Sequence, residues 1–536
     1  SGKISGEIVL KRQYRIRDGK MEFMIENAVS IYDDVLQKEL SKSSDDKMKN
    51  IVATIQRDQN AVIRNDTARI MIIQGVAGSG KTSIALHRIA FLLYRFRDTI
   101  AAKDILIISP NKVFADYISN VLPELGEEHI PEIGMEELAA DVLENKYRFE
   151  TFFDQVSQLL DNHDNAYIER IRFKASFEFL SKLNQYLIYI ENNYFTFTEL
   201  RVAGTVVPFP FIEERFKAYH GIPLLKRFSE IVRDIQYYLR DQGKRKLNGR
   251  EKADLWEAVP AMFRYPNVFD LYQDFFRWIG KPELFNLNPG GTWEYADVFA
   301  IIYFKLRLEG VPENYRHVKH LLVDEMQDYT PVQYAVLSRL FQCKKTILGD
   351  VSQTVNPYSA SSAEGIEQIF PHADVVKLHR SYRSTWEITD FAQQISRNPD
   401  IIPMERHGDA PLVKVFQINA DEIAYIKNTL EHFKNSGNQS LGIICKTAEQ
   451  AEVIYGALKS PGVHLLKADS TSFSNGVIIA TVHLAKGLEF DEVIIPFASA
   501  NNYKTDVDKS MLYIACTRAM HKLTLTYSKE KSGFIN

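Results

Sequence analysis

The run Gly75-Val-Ala-Gly-Ser-Gly-Lys-Thr82 matches the G-x-x-x-x-G-K-[ST] phosphate loop at every fixed position. The apolar run Ile70–Gln74 before it reads as a buried strand. Thr82–Leu93 after it reads as a helix, with Ile84, Leu86, Ile89, Phe91 and Leu92 apolar. Strand, glycine loop and helix are the context this motif requires. Gly75, Gly78 and Gly80 let the backbone wrap a phosphate closely, with Val76, Ala77, Ser79 and Ser83 completing the cradle. The helix N-terminus adds N–H donors and a partial positive charge. Lys81 is placed to reach the β- and γ-phosphates and Thr82 to hold Mg²⁺. A nucleoside triphosphate is the expected ligand.

At 536 residues, three or four domains are expected. With 45% hydrophobic and 25% charged residues, the composition is that of an ordinary globular protein. The net charge of −4 restricts any nucleic-acid contact to a local patch. Cys343, Cys445 and Cys516 form no metal spacing and suit reduced thiols in the cytoplasm. No membrane span or signal peptide is visible, and a monomer is expected. The chain opens Ser1-Gly2 without Met, so preceding residues are expected.

An α/β architecture is expected, with parallel sheets in two units. Residues 1–45 hold a hairpin, signalled by Arg17-Asp-Gly-Lys20, and a linker; a helix is expected from Ser44-Asp-Asp46. Residues 46–123 start the first unit, which includes a strand at Ile105–Ile108 and resumes over 316–373. Between them, 124–315 reads as a mostly helical, aromatic-rich insertion. Core packing is the plain reading of its aromatics and a partner-binding arm the sharper one. Lys244-Arg-Lys246, Arg250 and Lys252 read as a solvated loop, with phosphate binding as the minority reading. The second unit is placed at 374–536, with strands at Val413–Phe416, Leu441–Ile444, Gly476–Thr481, Glu492–Ile495 and Leu523–Tyr527, and a loop at Ser470–Asn475.

Asp324-Glu-Met-Gln-Asp328 follows an apolar strand, where ligands bind in open α/β sheets. Asp324 is assigned to the metal and Glu325 to the base that orients water; a simple acidic turn is the alternative. Gln353 closes Gly349-Asp-Val-Ser-Gln353 and is placed to sense the γ-phosphate. Taken singly, the later clusters around Arg383, Lys486 and Arg518 are weak signals.

Taken in order, these motifs resemble the superfamily 1A helicase motor of the UvrD/Rep/PcrA type, over roughly 45–125 and 315–530. Gln59 looks like the adenine-reading Q-motif residue. Asp324–Asp328 resembles motif II and Gly349…Gln353 motif III. Leu378-His-Arg-Ser-Tyr382-Arg383-Ser-Thr385 resembles motif IV, Thr481…Lys486-Gly487-Leu-Glu489-Phe490 motif V, and Thr517-Arg518-Ala519 motif VI. The resemblance implies two RecA-like domains with the triphosphate between them. It implies Tyr382 stacked on the base, Glu489 at the ribose, Gly487 among the nucleotide-binding residues, and Arg383 and Arg518 supplied by the second domain to the transferring phosphoryl group.

Two departures from a DNA helicase stand out. Arg383 and Thr481 are 98 positions apart, too few for the large 2B domain that the UvrD type carries there. The segment Thr354-Val-Asn-Pro357-Tyr358 replaces the family's Tyr-x-Trp-Arg, which stacks on single-stranded DNA; such stacking is worth about 1–3 kcal/mol per base. Tyr358 reads as a turn residue beside Pro357, with substitution for the stacking aromatic as the alternative. Motif Ia, Ile108-Ser-Pro-Asn-Lys112, is only loosely matched. The details are similar to the HelD group, helicase-like factors that bind bacterial RNA polymerase: Met48–Gln56, Val76–Ser79, Ile84–Leu93 and the large insertion carry this. The resemblance implies an insertion that enters the polymerase main channel, a missing N-terminal coiled-coil arm, core RNA polymerase as partner, and ATP or GTP hydrolysis with Mg²⁺. A DNA-translocating helicase is the alternative, and a scaffold with a relic motor the third reading.

Overall fold

The computed structural model describes residues 12–17, 20–26, 59–109, 130–161, 164–243, 246–265, 267–355, 358, 362–467, 470 and 476–536. Arg12–Arg17 and Lys20–Glu26 form the expected antiparallel hairpin. The helix expected from Ser44, the Met48–Gln56 segment, most of motif Ia and nearly all of the Ser470–Asn475 loop lie outside the described residues.

The first sheet has six parallel strands in the order Asp374–Leu378, Ile70–Gly75, Lys344–Gly349, His320–Val323, Ile105–Ile108, Glu132–Ile133. Side chains alternate along each strand, and on the inner strands both faces are covered, which is why Ile70–Gly75, His320–Val323 and Ile105–Ile108 read as apolar runs. Met71, Ile73, Ile105, Ile107 and Leu322 pack under the helix Lys81–Arg95. Ile72, Leu106, Ile108, Leu321 and Val323 point the other way, into one continuous core with the insertion.

That core takes in many aromatics of the insertion, while Phe209, Tyr237 and Trp256 stay exposed. Phe179, Tyr186, Phe275, Phe276 and Phe304 are fully buried and touch edge-to-face, with Phe275 and Phe276 at 5.1 Å. The helices Phe177–Asn193, Val268–Trp278 and Tyr295–Leu308 carry most of them. Lys174, wholly buried, is neutralised by Asp297 at 2.7 Å and Glu294 at 3.1 Å. The insertion is therefore a packed layer on one sheet face. Its expected start at 124 needs correcting, because Glu132–Ile133 is the edge strand of the first sheet.

The second sheet is also six-stranded and parallel, in the order Leu412–Phe416, Ala519–Ser528, Phe490–Ile495, Ser440–Cys445, Gly476–Thr481, Val463–Leu465. The expected boundary at 374 moves, since Asp374–Leu378 pairs with Ile70–Gly75 and belongs to the first sheet. Its half-buried pattern resembles an edge strand of either unit; only the pairing assigns it. Val463–Leu465 was not expected as a strand. Between Arg383 and Thr481 the described residues are consumed by strands and helices of this second unit.

Candidate nucleotide site between the two sheets

The phosphate loop leaves the Ile70–Gly75 strand and enters the helix at Lys81. Gly78 and Gly80 have φ of 70° and 75°, the left-handed region that favours glycine. Gly80 is required twice over, since a Cβ there would sit 1.7 Å from the Tyr382 hydroxyl. The Leu378 carbonyl accepts from Val76 N at 3.0 Å, so the strand that ends the first unit also holds the loop. Lys81 donates to the carbonyls of Gly75 at 2.9 Å and Val76 at 3.1 Å. Burial lowers its pKa, opposed by Asp350, Glu325 and Asp324. Thr82 and Ser83 follow, half-buried, in the first turn.

Asp324 and Glu325 leave the carboxyl end of His320–Val323. Glu325 has φ of 52°, a strained value for a non-glycine residue. The bend turns the two carboxylates to different neighbours. Asp324 accepts from Glu325 N at 2.8 Å, and Glu325 accepts from Gln327 Nε2 at 2.6 Å. Burial and the Glu325 charge push the Asp324 carboxyl well above the usual range. Burial also acts to raise Glu325, but Lys486, Lys81 and Arg518 outweigh it and hold that carboxyl low. Two adjacent acids are thus separated into one that gains from added positive charge and one that stays ionised.

The second unit reaches this centre through two cations. Arg518 donates to Gln353 Oε1, and Gln353 Nε2 donates to Asp350 at 2.7 Å. Lys486, 4% exposed, lies 2.5 Å from Asp328 and 3.6 Å from Glu325. A Cβ on Gly487 would stand 3.9 Å from Glu325. Ser381–Arg383 closes over the loop: Tyr382 N donates to Gly78 O at 3.3 Å, and the Tyr382 hydroxyl accepts from Gln59 Nε2 at 3.1 Å. Beside them is a 470 Å³ cavity lined by Gln59, Val62, Asn65, Val376, Leu378 and Tyr382, among others. Its size and mixed lining suit a nucleobase.

All the residues singled out from the sequence for nucleotide, metal or catalysis thus gather on this cleft. One differs in detail: Arg383 is ion-paired with Glu489, the residue expected at the ribose. Sequence reasoning missed Lys486, Gln327, Asp328 and Asp350 as site members. Gln327 Oε1 accepts from Asp350 N at 2.9 Å and so ties the second acidic motif to the third. The signal was present, since all four sit inside motifs already quoted, but their partners are more than twenty residues away. Among the described residues no group of three or more His, Cys, Asp or Glu is arranged to hold a metal by itself. Nor is any described helix long and apolar enough to cross a membrane.

Two parallel α/β sheets, the first carrying a phosphate loop over which the second closes, define a two-domain P-loop fold of the α/β class. A family model for the UvrD/REP helicase N-terminal domain matches residues 55–372, and one for the UvrD-like helicase C-terminal domain matches residues 466–530. The chain belongs to the UvrD/REP helicase family. It is 24% identical over 257 residues to the putative ATP-dependent DNA helicase R568 of Acanthamoeba polyphaga mimivirus, covering 41% of this chain and 36% of that one. It is 21% identical over 425 residues to the ATP-dependent DNA helicase PcrA of Staphylococcus epidermidis, covering 76% of this chain and 50% of that one. The chain thus spans half or less of the length of these relatives. A solved C-terminal domain of a possible DNA helicase from Lactobacillus plantarum shares 33% identity over 29% of this chain and 94% of its own, with a TM-score of 0.25.

Proposed function

We propose that this chain hydrolyses a nucleoside triphosphate, ATP or GTP, in the cleft between its two sheets, and that hydrolysis drives release of RNA polymerase from stalled nucleic-acid complexes. The observation that carries the hydrolytic part is the reach of Arg518 and Lys486 from the second unit into the Gln353 and Glu325 centre of the first. Lys81 and the loop amides hold the β- and γ-phosphates. Thr82 and Asp324 would hold Mg²⁺, and the raised Asp324 carboxyl suits a site that a divalent cation neutralises. When bound, the ion screens charge on the phosphate oxygens. Glu325, kept ionised, orients and deprotonates the attacking water. Gln353 reports the γ-phosphate to Arg518, and Arg383 and Arg518 stabilise charge on the transferring group. Because both arginines belong to the second unit, turnover requires closure and product release permits opening. Gln59 and Tyr382 face the base.

The polymerase reading rests on the resemblance to the HelD group. It is supported by the Arg383–Thr481 interval, filled by the second sheet's own elements, and by Tyr358, whose ring lies under the Arg172 guanidinium at 5.1 Å. The second reading, an ATP-dependent 3′–5′ DNA translocase, is favoured by relatives whose names read ATP-dependent DNA helicase. Lys81→Ala is expected to abolish hydrolysis, and wild-type turnover in that variant would refute the site. Pull-down of core polymerase, with and without added N-terminal sequence, tests the partner. Unwinding of a tailed duplex without polymerase would favour the translocase.

A further inference from the structure

The helix Phe152–Asp161 belongs by sequence to the insertion, and its buried Gln155 faces Lys174 and Tyr295 there, yet its buried Val156 joins the second unit's core. Val156, 1% exposed, lies in one apolar core with Val482, Ala485 and Leu488. Phe153 meets the His483 imidazole edge-on at 4.7 Å. The Phe153–His483 contact lies within the loop from Thr481 to Gly487 that carries Lys486, and Val156 shares the core that the same loop's Val482 and Ala485 enter. Phe152 packs against both the second unit's core and the insertion's, with its ring 5.7 Å from Tyr295. Tyr295 begins the helix Tyr295–Leu308, and its hydroxyl accepts from Gln333 Nε2 at 3.1 Å. Gln333 in turn accepts from Thr330 N at 2.7 Å, two residues past Asp328. One helix is therefore linked to both members of the Lys486–Asp328 pair, to the loop of Lys486 through Phe153 and to the Asp328 side through Tyr295 and Gln333.

We propose that Phe153 and Val156 are positioning residues that set the Thr481–Gly487 loop, so that Lys486 reaches Asp328 and Glu325 and the two units close for hydrolysis. The proposal rests on the hydrolytic reading above and adds a route by which force on the insertion reaches the nucleotide cleft. A partner that shifts the insertion moves Phe153, and with it the loop that bridges the two sheets. Neither residue lines the Gln59 cavity, so their effect belongs in kcat.

The test compares Phe153→Ala and Phe153→Leu in the full chain. Steady-state ATP hydrolysis with Mg²⁺ is measured alongside the distance between dyes placed at Tyr94→Cys and Val453→Cys in a Cys343→Ser background. Both label sites are exposed, one on each unit. Phe153→Ala is expected to lower kcat about three- to tenfold, the scale of one aromatic contact. KM stays within about twofold, and the interdomain distance distribution broadens. Phe153→Leu restores at least half of kcat and narrows the distribution. An unchanged distribution overturns the proposal, and so does a KM that rises in step with the fall in kcat. If the wild-type chain turns over neither ATP nor GTP, the hydrolytic reading fails by itself, and the distance distribution still decides the positioning role.

Discussion

Lys486→Ala tests how the two units are held together. The ammonium lies 2.5 Å from Asp328 and 3.6 Å from Glu325, and the Lys486 and Asp328 side chains are 4% and 3% exposed. Removing one partner of a buried pair costs about 3–5 kcal/mol, because the other charge is left without compensation. Protonation sets a ceiling on that cost. An isolated buried carboxylate takes a proton rather than stay charged. From a reference value of 3.8, doing so at pH 7 costs about 4 kcal/mol, at 1.36 kcal/mol per unit. Burial already raises the Asp328 carboxyl, and Lys486 is the chief opposing influence, so the variant raises it further. A carboxyl whose folded pKa lies above its unfolded value destabilises the fold as pH climbs from the unfolded pKa through the folded one. The deficit is therefore largest at neutral pH and shrinks on acidification, to a ceiling of about 1.6 kcal/mol at pH 5. Urea unfolding at both pH values, followed by the fluorescence of the four tryptophans, measures it. The expected loss is about 3–4 kcal/mol at pH 7, and adding Asp328→Asn recovers most of it. A deficit independent of pH, or no recovery with Asp328→Asn, would refute the reasoning.

Arg518→Ala is expected to lower kcat by about a thousandfold while nucleotide binding persists, as for other arginines that act on the transferring phosphoryl group. Stopped-flow binding of a fluorescent nucleotide beside steady-state turnover separates the two effects. Phe275→Ala opens a hole among Phe179, Tyr186 and Phe276 and is expected to cost about 3–5 kcal/mol, read by calorimetry as a lower unfolding temperature. Because that core lies behind the first sheet, KM for nucleotide should stay unchanged in the folded fraction.

Much of the motor was legible because its chemistry is local. The phosphate loop needs glycines at fixed spacing, and Asp324 and Glu325 follow an apolar strand whose end faces the ligand. Strands such as Gly476–Thr481 and Ile105–Ile108 announce themselves as apolar runs, since a parallel sheet is buried on both faces. Asp374–Leu378 was misplaced because an edge strand carries no local mark of the sheet it joins. Glu132–Ile133 is too short to stand out.

The sequence by itself determined a phosphate-loop cradle at Gly75–Thr82 and the order of the motifs that the fold gathers beside it, because backbone reach and side-chain type follow from order along the chain. Only the tertiary structure decided what connects that cradle to the rest. The Lys486–Asp328 pair spans 158 positions, and the Arg518–Gln353 contact spans 165. Phe153 and His483 meet from opposite halves of the chain. Contacts at such separations arise when two sheets and a packed insertion bring distant side chains out of water together, and no local pattern encodes them.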